Sequence, residues 1–139
     1  IRTGADVAKA LALGADAVSI GTAALVALGC NKAVHIEDYH ALGTEPGYCH
    51  HCHTGLCPVG ITTQEPELEA RLAPEHGARL LKNYLTMMAL EAQTLARACG
   101  KSHLLNLEPE DLVALTTDAA AMARVPLAGT DWIPGRGTT

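Results

Sequence analysis

The residues best suited to chemistry are crowded into Cys49-His50-His51-Cys52-His53-Thr54-Gly55-Leu56-Cys57-Pro58-Val59-Gly60. Cys49 and Cys52 are spaced C-x2-C, Cys52 and Cys57 are spaced C-x4-C, and a proline follows the last cysteine. Short loops of this kind let several sulfurs converge on one inorganic core, and proline after the final cysteine is common at such sites. An iron–sulfur cluster is the first reading. Zinc is the second, because thiolate and imidazole are its ligands and His50, His51 and His53 lie within reach. A disulfide or a set of functionless thiols completes the choice. Cys30 can return to the same cluster. Cys99 shares a helix face with Leu95 and Met88 and is expected to pack as a small hydrophobe. The three histidines are expected to face solvent or to hydrogen-bond sulfur rather than to catalyse.

Composition narrows the classes of partner. The 139 residues suit one ordinary domain, and a hydrophobic content of 48% argues for a buried interior. The net charge is −5 with Lys and Arg scattered, which leaves no nucleic-acid footprint. Phe is absent and aromatics make up 3%, so the stacking platforms of single-strand binders are missing. No apolar run approaches the ~20 residues that span a bilayer, and the start carries no secretory pattern. Five cysteines in an Ala/Leu-rich chain fit a reducing compartment better than a disulfide scaffold. A cytoplasmic protein is expected.

The elements that must position these thiols follow from periodicity and caps. Thr3 and Asp6 read as an N-cap and its acidic partner, Val7, Leu11 and Leu13 supply an apolar face, and Gly14 is a natural stop. Ala15 to Ile20 reads as a short strand closed by Gly21, and Thr22 caps a helix over Ala23 to Leu28. A lone, uniformly apolar strand is typical of a buried parallel sheet. Its neighbours are therefore expected upstream, with the chain as a fragment whose first 30 or so residues close an α/β barrel or sheet. Asn31 to Tyr48 reads as a polar loop. A short helix is expected near Glu67 to Leu72, ended by Pro74. A long amphipathic helix should run from about Gly77 to Cys99, and another from Pro109 to about Met122. The Gly-, Pro- and Thr-rich tail from Pro126 to Thr139 is expected to be extended or loose.

Two glycine turns invite a phosphate. Arg2-Thr3-Gly4 at one helix start and Gly21-Thr22 at the next present backbone N–H groups at positive dipole ends. Any βα unit needs a capped helix and a glycine turn, so locally the structural explanation comes first.

Three blocks in this order are specific: Ile1-Arg2-Thr3-Gly4-Ala5-Asp6-Val7, then Gly21-Thr22 through Leu28-Gly29-Cys30, then Cys52-His53-Thr54-Gly55-Leu56-Cys57-Pro58-Val59-Gly60-Ile61-Thr62-Thr63-Gln64. Together they resemble the end of the FMN-binding domain of glutamate synthase. The second half, with Ala98-Cys99-Gly100-Lys101 and Asn106 to Leu112, resembles the helical extension of stand-alone members, including N-methylglutamate synthase large-subunit-like chains.

That resemblance implies an α/β fold in which residues 1–30 are the last α-β-α of an FMN-binding (β/α)8 barrel. Residues 31–66 would be the cluster-binding loop, 67–125 the helical extension and 126–139 an extended tail. It implies an oxidoreductase that passes electrons through an iron–sulfur cluster to FMN. The flavin reduces the imine of 2-oxoglutarate and ammonia, or methylamine, to glutamate or N-methylglutamate. Ferredoxin or an NAD(P)H-dependent subunit would donate the electrons, a glutaminase-type subunit could supply ammonia, and the protein would be an oligomer. Arg2, Thr3, Gly4, Gly21 and Thr22 match the FMN-phosphate loops, which reverses the local preference. Cys30, Cys52 and Cys57 match the cluster ligands. The match departs from the family in one place: the long insert from Asn31 to His51 separates Cys30 from Cys52 and adds Cys49. Either Cys30 still ligates or Cys49 replaces it, and four thiolates would suit a 4Fe-4S rather than a 3Fe-4S cluster. The fragment alone is expected to be inactive. The reading from another class is a zinc-stabilised, non-enzymatic interaction module.

Overall fold

The computed structural model describes residues 1–136, so the last three residues of the predicted tail lie outside the described residues. The described residues form six α-helices: α1 (Gly4–Ala12), α2 (Thr22–Leu28), α3 (Ile36–Ala41), α4 (Pro66–Glu69), α5 (Pro74–Ala98) and α6 (Thr117–Ala123). They divide into two compact units. One combines Ile1–Ser19 with the residues from Met87 onward, and the other is Ile20–Thr86.

In the first unit, α1 begins as its sequence requires. The Thr3 hydroxyl accepts the Asp6 N–H at 3.3 Å, and the Asp6 carboxylate accepts the N–H groups of Arg2 and Thr3 at 2.9 and 3.3 Å. The Arg2 N–H contributes most to holding the Asp6 carboxyl at about 2, with Lys9 beside it adding to the effect. Packing then runs through alanine. Ala8 and Ala12 of α1 meet Ala92 and Ala96 of α5, with Leu107 closing the cluster. Small side chains let the two helices approach closely, and Gly4 lies directly against α5. A Cβ there would collide with the Met88 carbonyl and lie 2.6 Å from Glu91 Cβ and 2.7 Å from Ala92 N. Further on, the Lys101 ammonium bonds Glu108 at 3.0 Å and Glu110 at 3.3 Å and lies 3.4 Å from Asp111. These carboxylates raise its pKa, Glu108 most.

Several expectations are corrected. Among the described residues there is no strand, and Ala15 to Ile20 is irregular. A strand needs a ladder partner, and the described residues supply none beyond an isolated parallel bridge between Ala114 and Leu127. Residues 33–41 are not loop. They form a 3₁₀ turn, Ala33–His35, running into α3, where Glu37 and Asp38 sit in the first turn. Pro74 opens α5 instead of ending α4, since a proline in the first turn gives up an N–H that would be unpaired there anyway. The helix expected from Pro109 to Met122 is split. Pro109–Asp111 is a 3₁₀ turn whose Asp111 carboxylate accepts the Glu108 N–H at 2.9 Å, and α6 starts anew at its Thr116 cap. Cys99 is exposed, because α5 buries Met88, Ala92 and Ala96 and ends one residue before it. Part of the tail is pinned: Ala114 N–H donates to the Pro126 carbonyl and Ala128 N–H to that of Ala114, both at 2.8 Å.

No helix among the described residues is long and apolar enough to cross a membrane.

Candidate metal centre

All four candidate thiols, Cys30, Cys49, Cys52 and Cys57, belong to the second unit. Gly29 ends α2 in the left-handed region at φ 101°, which turns the chain so that Cys30 leaves the helix with its N–H on the Leu25 carbonyl at 3.0 Å. Nine residues later Tyr39, 1% exposed, donates its hydroxyl to the Cys30 carbonyl. The ring packs with Cys57 and Val59, and Cys49 and Ile61 lie against them. Burial and the nearby thiols of Cys30, Cys49 and Cys57 push the Tyr39 phenol up to about 12, so it remains a donor at neutral pH.

The sulfurs are graded in access. Cys57 is buried, Cys30 and Cys49 are half-buried and Cys52 is exposed, beside a cavity of about 450 Å³ lined by Thr54, Leu56, Ile61 and Thr62. Burial raises the Cys30 thiol pKa, and the neighbouring Cys52, Cys57 and Cys49 raise it further. Cys49, Cys52 and Cys57 are therefore each within electrostatic reach of Cys30. Cys57 behaves differently. Burial alone would raise its pKa, but the N–H groups of Thr62, Val59 and Ile61 bring the net value down. The buried Thr62 Oγ1 beside them has no hydrogen-bond partner among the described residues.

This arrangement fits a thiolate-bound inorganic core. Soft sulfur donors select iron–sulfur clusters or zinc, and backbone N–H groups aimed at a ligand sulfur are a means of tuning cluster potential. Among the described residues no three His, Cys, Asp or Glu side chains are already drawn together into an ion-binding group. The five cysteines are all free, so no disulfide is formed. Of the histidines weighed for zinc, His50 and His51 stack on each other with ring centroids 4.8 Å apart, and His50 and His53 face solvent.

The two glycine turns differ. The first has its N–H groups engaged: those of Arg2 and Thr3 by Asp6, and that of Gly4 by Glu91 Oε2 at 2.6 Å. The absence of a side chain at Gly4 is needed by its packing on α5. Gly21 opens on free space, with nothing within 4 Å of where its Cβ would be. A phosphate at the first turn would have to displace two carboxylates, whereas at Gly21-Thr22 no side chain stands over the glycine.

Four residues that matter here were missed by the spacing arguments: Tyr39, Thr62, Arg71 and Glu91. For Tyr39 a signal did exist, since Ile36 and Tyr39 stand three apart around Glu37 and Asp38 as in a helix start. Arg71, which bonds Asp38 and the Pro58 carbonyl, and Glu91, which bonds Gly4, act through contacts distant in sequence.

The family model described as the conserved region in glutamate synthase matches residues 1–102. A glutamate synthase large subunit-like protein of Rhizobium meliloti (strain 1021) is 67% identical over 138 residues, 99% of this chain and 31% of that protein. The archaeal glutamate synthase [NADPH] of Methanocaldococcus jannaschii is 49% identical over 100 residues, 72% of this chain and 16% of that protein. A ferredoxin-dependent glutamate synthase of Cyanidium caldarium is 34% identical over 117 residues, 76% of this chain and 6% of that protein. The chain thus spans about a third or less of the length of these relatives. No solved structure matches.

Proposed function

The chain belongs to the glutamate synthase family, and from that premise we propose that it is the cluster-bearing part of a glutamate synthase-type oxidoreductase. The observation that carries the reading is that Cys49 and Cys57 pack in one cluster around Tyr39, with Cys49, Cys52 and Cys57 each within electrostatic reach of Cys30 in the same unit. In this reading Cys52 and Cys57 hold the cluster with Cys30, Cys49 or both. The ligand number decides between 3Fe-4S and 4Fe-4S. When bound, the cluster and FMN supply the electron transfer that reduces the imine of 2-oxoglutarate and ammonia, or methylamine, to the amino acid.

The chain's own residues prepare that site. Pro58, fully buried, with Val59 and Tyr39 keeps water from the Cys57 sulfur, and the surrounding N–H groups stabilise its thiolate form. Tyr39 fixes the Cys30 backbone, and hence the direction from which that sulfur approaches. Gly21 and Thr22 would receive the phosphate end of FMN. Arg2, Thr3 and Gly4 would be open to a phosphate only if Asp6 and Glu91 release the first turn. The barrel to which residues 1–30 are assigned would also provide a partner for Ala15 to Ile20. The relatives' names point to ferredoxin and NADPH as the two electron donors, the second reached here through a partner subunit.

Anaerobic purification followed by a visible spectrum and iron, sulfide, zinc and flavin analysis tests this reading. Flavin bands over a broad iron–sulfur shoulder, with about three or four irons per chain, are expected. A colourless protein with about one zinc would overturn it in favour of a structural module.

A further inference from the structure

Arg71 reaches the cysteine loop from a segment that carries no ligand. Its side chain is 28% exposed, and one nitrogen, Nη1, donates both to Asp38 Oδ2 at 2.8 Å and to the Pro58 carbonyl at 2.7 Å. The Pro58 carbonyl belongs to the residue directly after Cys57, so this bond grips the turn that carries the most buried thiol. The same turn is held a second time by Gly60. It adopts φ +79°, and the place of its missing Cβ is blocked by the Leu68 carbonyl and lies 3.2 Å from Leu72 N. Residues 66–72 therefore form a backing for Cys57-Pro58-Val59-Gly60, with Arg71 as its charged contact.

Resting on the iron–sulfur reading above, we propose that Arg71 is a positioning residue for the Cys57 turn and that the Arg71–Asp38 pair sets the reduction potential of the cluster. Reduction brings one electron onto the cluster from an external donor, with no atom exchanged, so the reduced form carries one more negative charge. A nearby cation stabilises that form and an anion destabilises it. In the intact protein the two charges largely offset each other across 2.8 Å. Removing either one uncovers the other, so the two neutralising variants must move the potential in opposite directions. A purely structural role would not produce that sign reversal.

The experiment compares wild type, Arg71→Gln, Arg71→Lys and Asp38→Asn in the anaerobically purified protein. Iron and sulfide are counted first, and potentials are then read by EPR-monitored redox titration at low and high salt. The expected result is a more negative potential in Arg71→Gln, a more positive one in Asp38→Asn and little change in Arg71→Lys. Both shifts should shrink as salt screens these partly exposed charges. With equal iron in all four proteins, coincident potentials or shifts of the same sign would overturn the proposal. If Arg71→Gln sheds its iron, Asp38→Asn decides alone: a positive shift supports the pair's role, and none or a negative one refutes it. A wild-type protein without iron would instead sink the cluster reading on which the proposal stands.

Discussion

The two units of this chain are held together by different means. The unit containing α1, the later part of α5 and α6 closes through alanines laid against alanines, with Lys101 drawing three carboxylates onto one ammonium. The unit containing the cysteines closes around Tyr39 and Pro58, its largest fully buried side chains, with glycine turns and a guanidinium holding the loops. The first can be satisfied by its own side chains. In the second, all four cysteines are free thiols, and N–H groups of residues 59, 61 and 62 stabilise the thiolate form of Cys57. The contrast teaches that the first unit closes by packing small side chains, whereas the second leaves its sulfurs unlinked, as the proposed cluster would require.

The largest effect should come from breaking the second unit at its centre. Cys57→Ser is expected to abolish iron retention and electron input while leaving flavin bound. Normal iron content or normal turnover with an external electron donor in that variant would refute the assignment.

Glycine substitutions sharpen the contrast. Gly60→Ala should cost about 1–3 kcal/mol from the positive φ, with the collision at the Leu68 carbonyl adding to it, and should lower iron per chain. Gly4→Ala should cost a similar amount, about 1–3 kcal/mol from overpacking against α5, with iron content unchanged. Denaturant unfolding paired with iron analysis checks both, and equal iron loss in the two would erase the distinction between the units.

Smaller still is Tyr39→Phe. It strips the part-buried Cys30 carbonyl of its donor, at a cost of about 0.5–1.5 kcal/mol for one hydrogen bond. The measurable consequence is a faster loss of cluster to a chelator than in wild type, and an unchanged rate would show that Tyr39 does not direct Cys30.

The mildest expected effect is a pH dependence confined to the first unit. The folded Asp6 carboxyl, at about 2, lies below its ordinary 3.8. Its contribution is therefore present above pH 3.8 and lost as pH falls toward 2. Asp6→Asn should flatten stability against pH across that window, as read by urea titrations at stepped pH. An unchanged slope would show that the capping carboxylate is not the titrating group.

Much of this was legible in the residue order. The capping box at Thr3 and Asp6 is a local exchange of hydrogen bonds between residues three apart, so the sequence alone reveals it. The long apolar period of α5 and the C-x2-C and C-x4-C runs of Cys49, Cys52 and Cys57 are likewise properties of spacing. The strand expected at Ala15 to Ile20 was not secure on the same grounds, because pairing depends on a neighbour elsewhere in the chain or beyond it. Pro74 and Pro109 each mark a helical first turn, but a proline cannot say how far the helix beyond it will run.

What only the tertiary structure decided is which groups meet across the chain. Sequence supplied the candidate thiols, the caps and the family resemblance. The fold brought Tyr39 to the Cys30 carbonyl, Arg71 to Pro58 across 13 residues and to Asp38 across 33, and Glu91 to Gly4 across 87. Local propensity and short-range hydrogen bonds are set by neighbouring residues, whereas which buried donor meets which acceptor is settled by packing the whole chain.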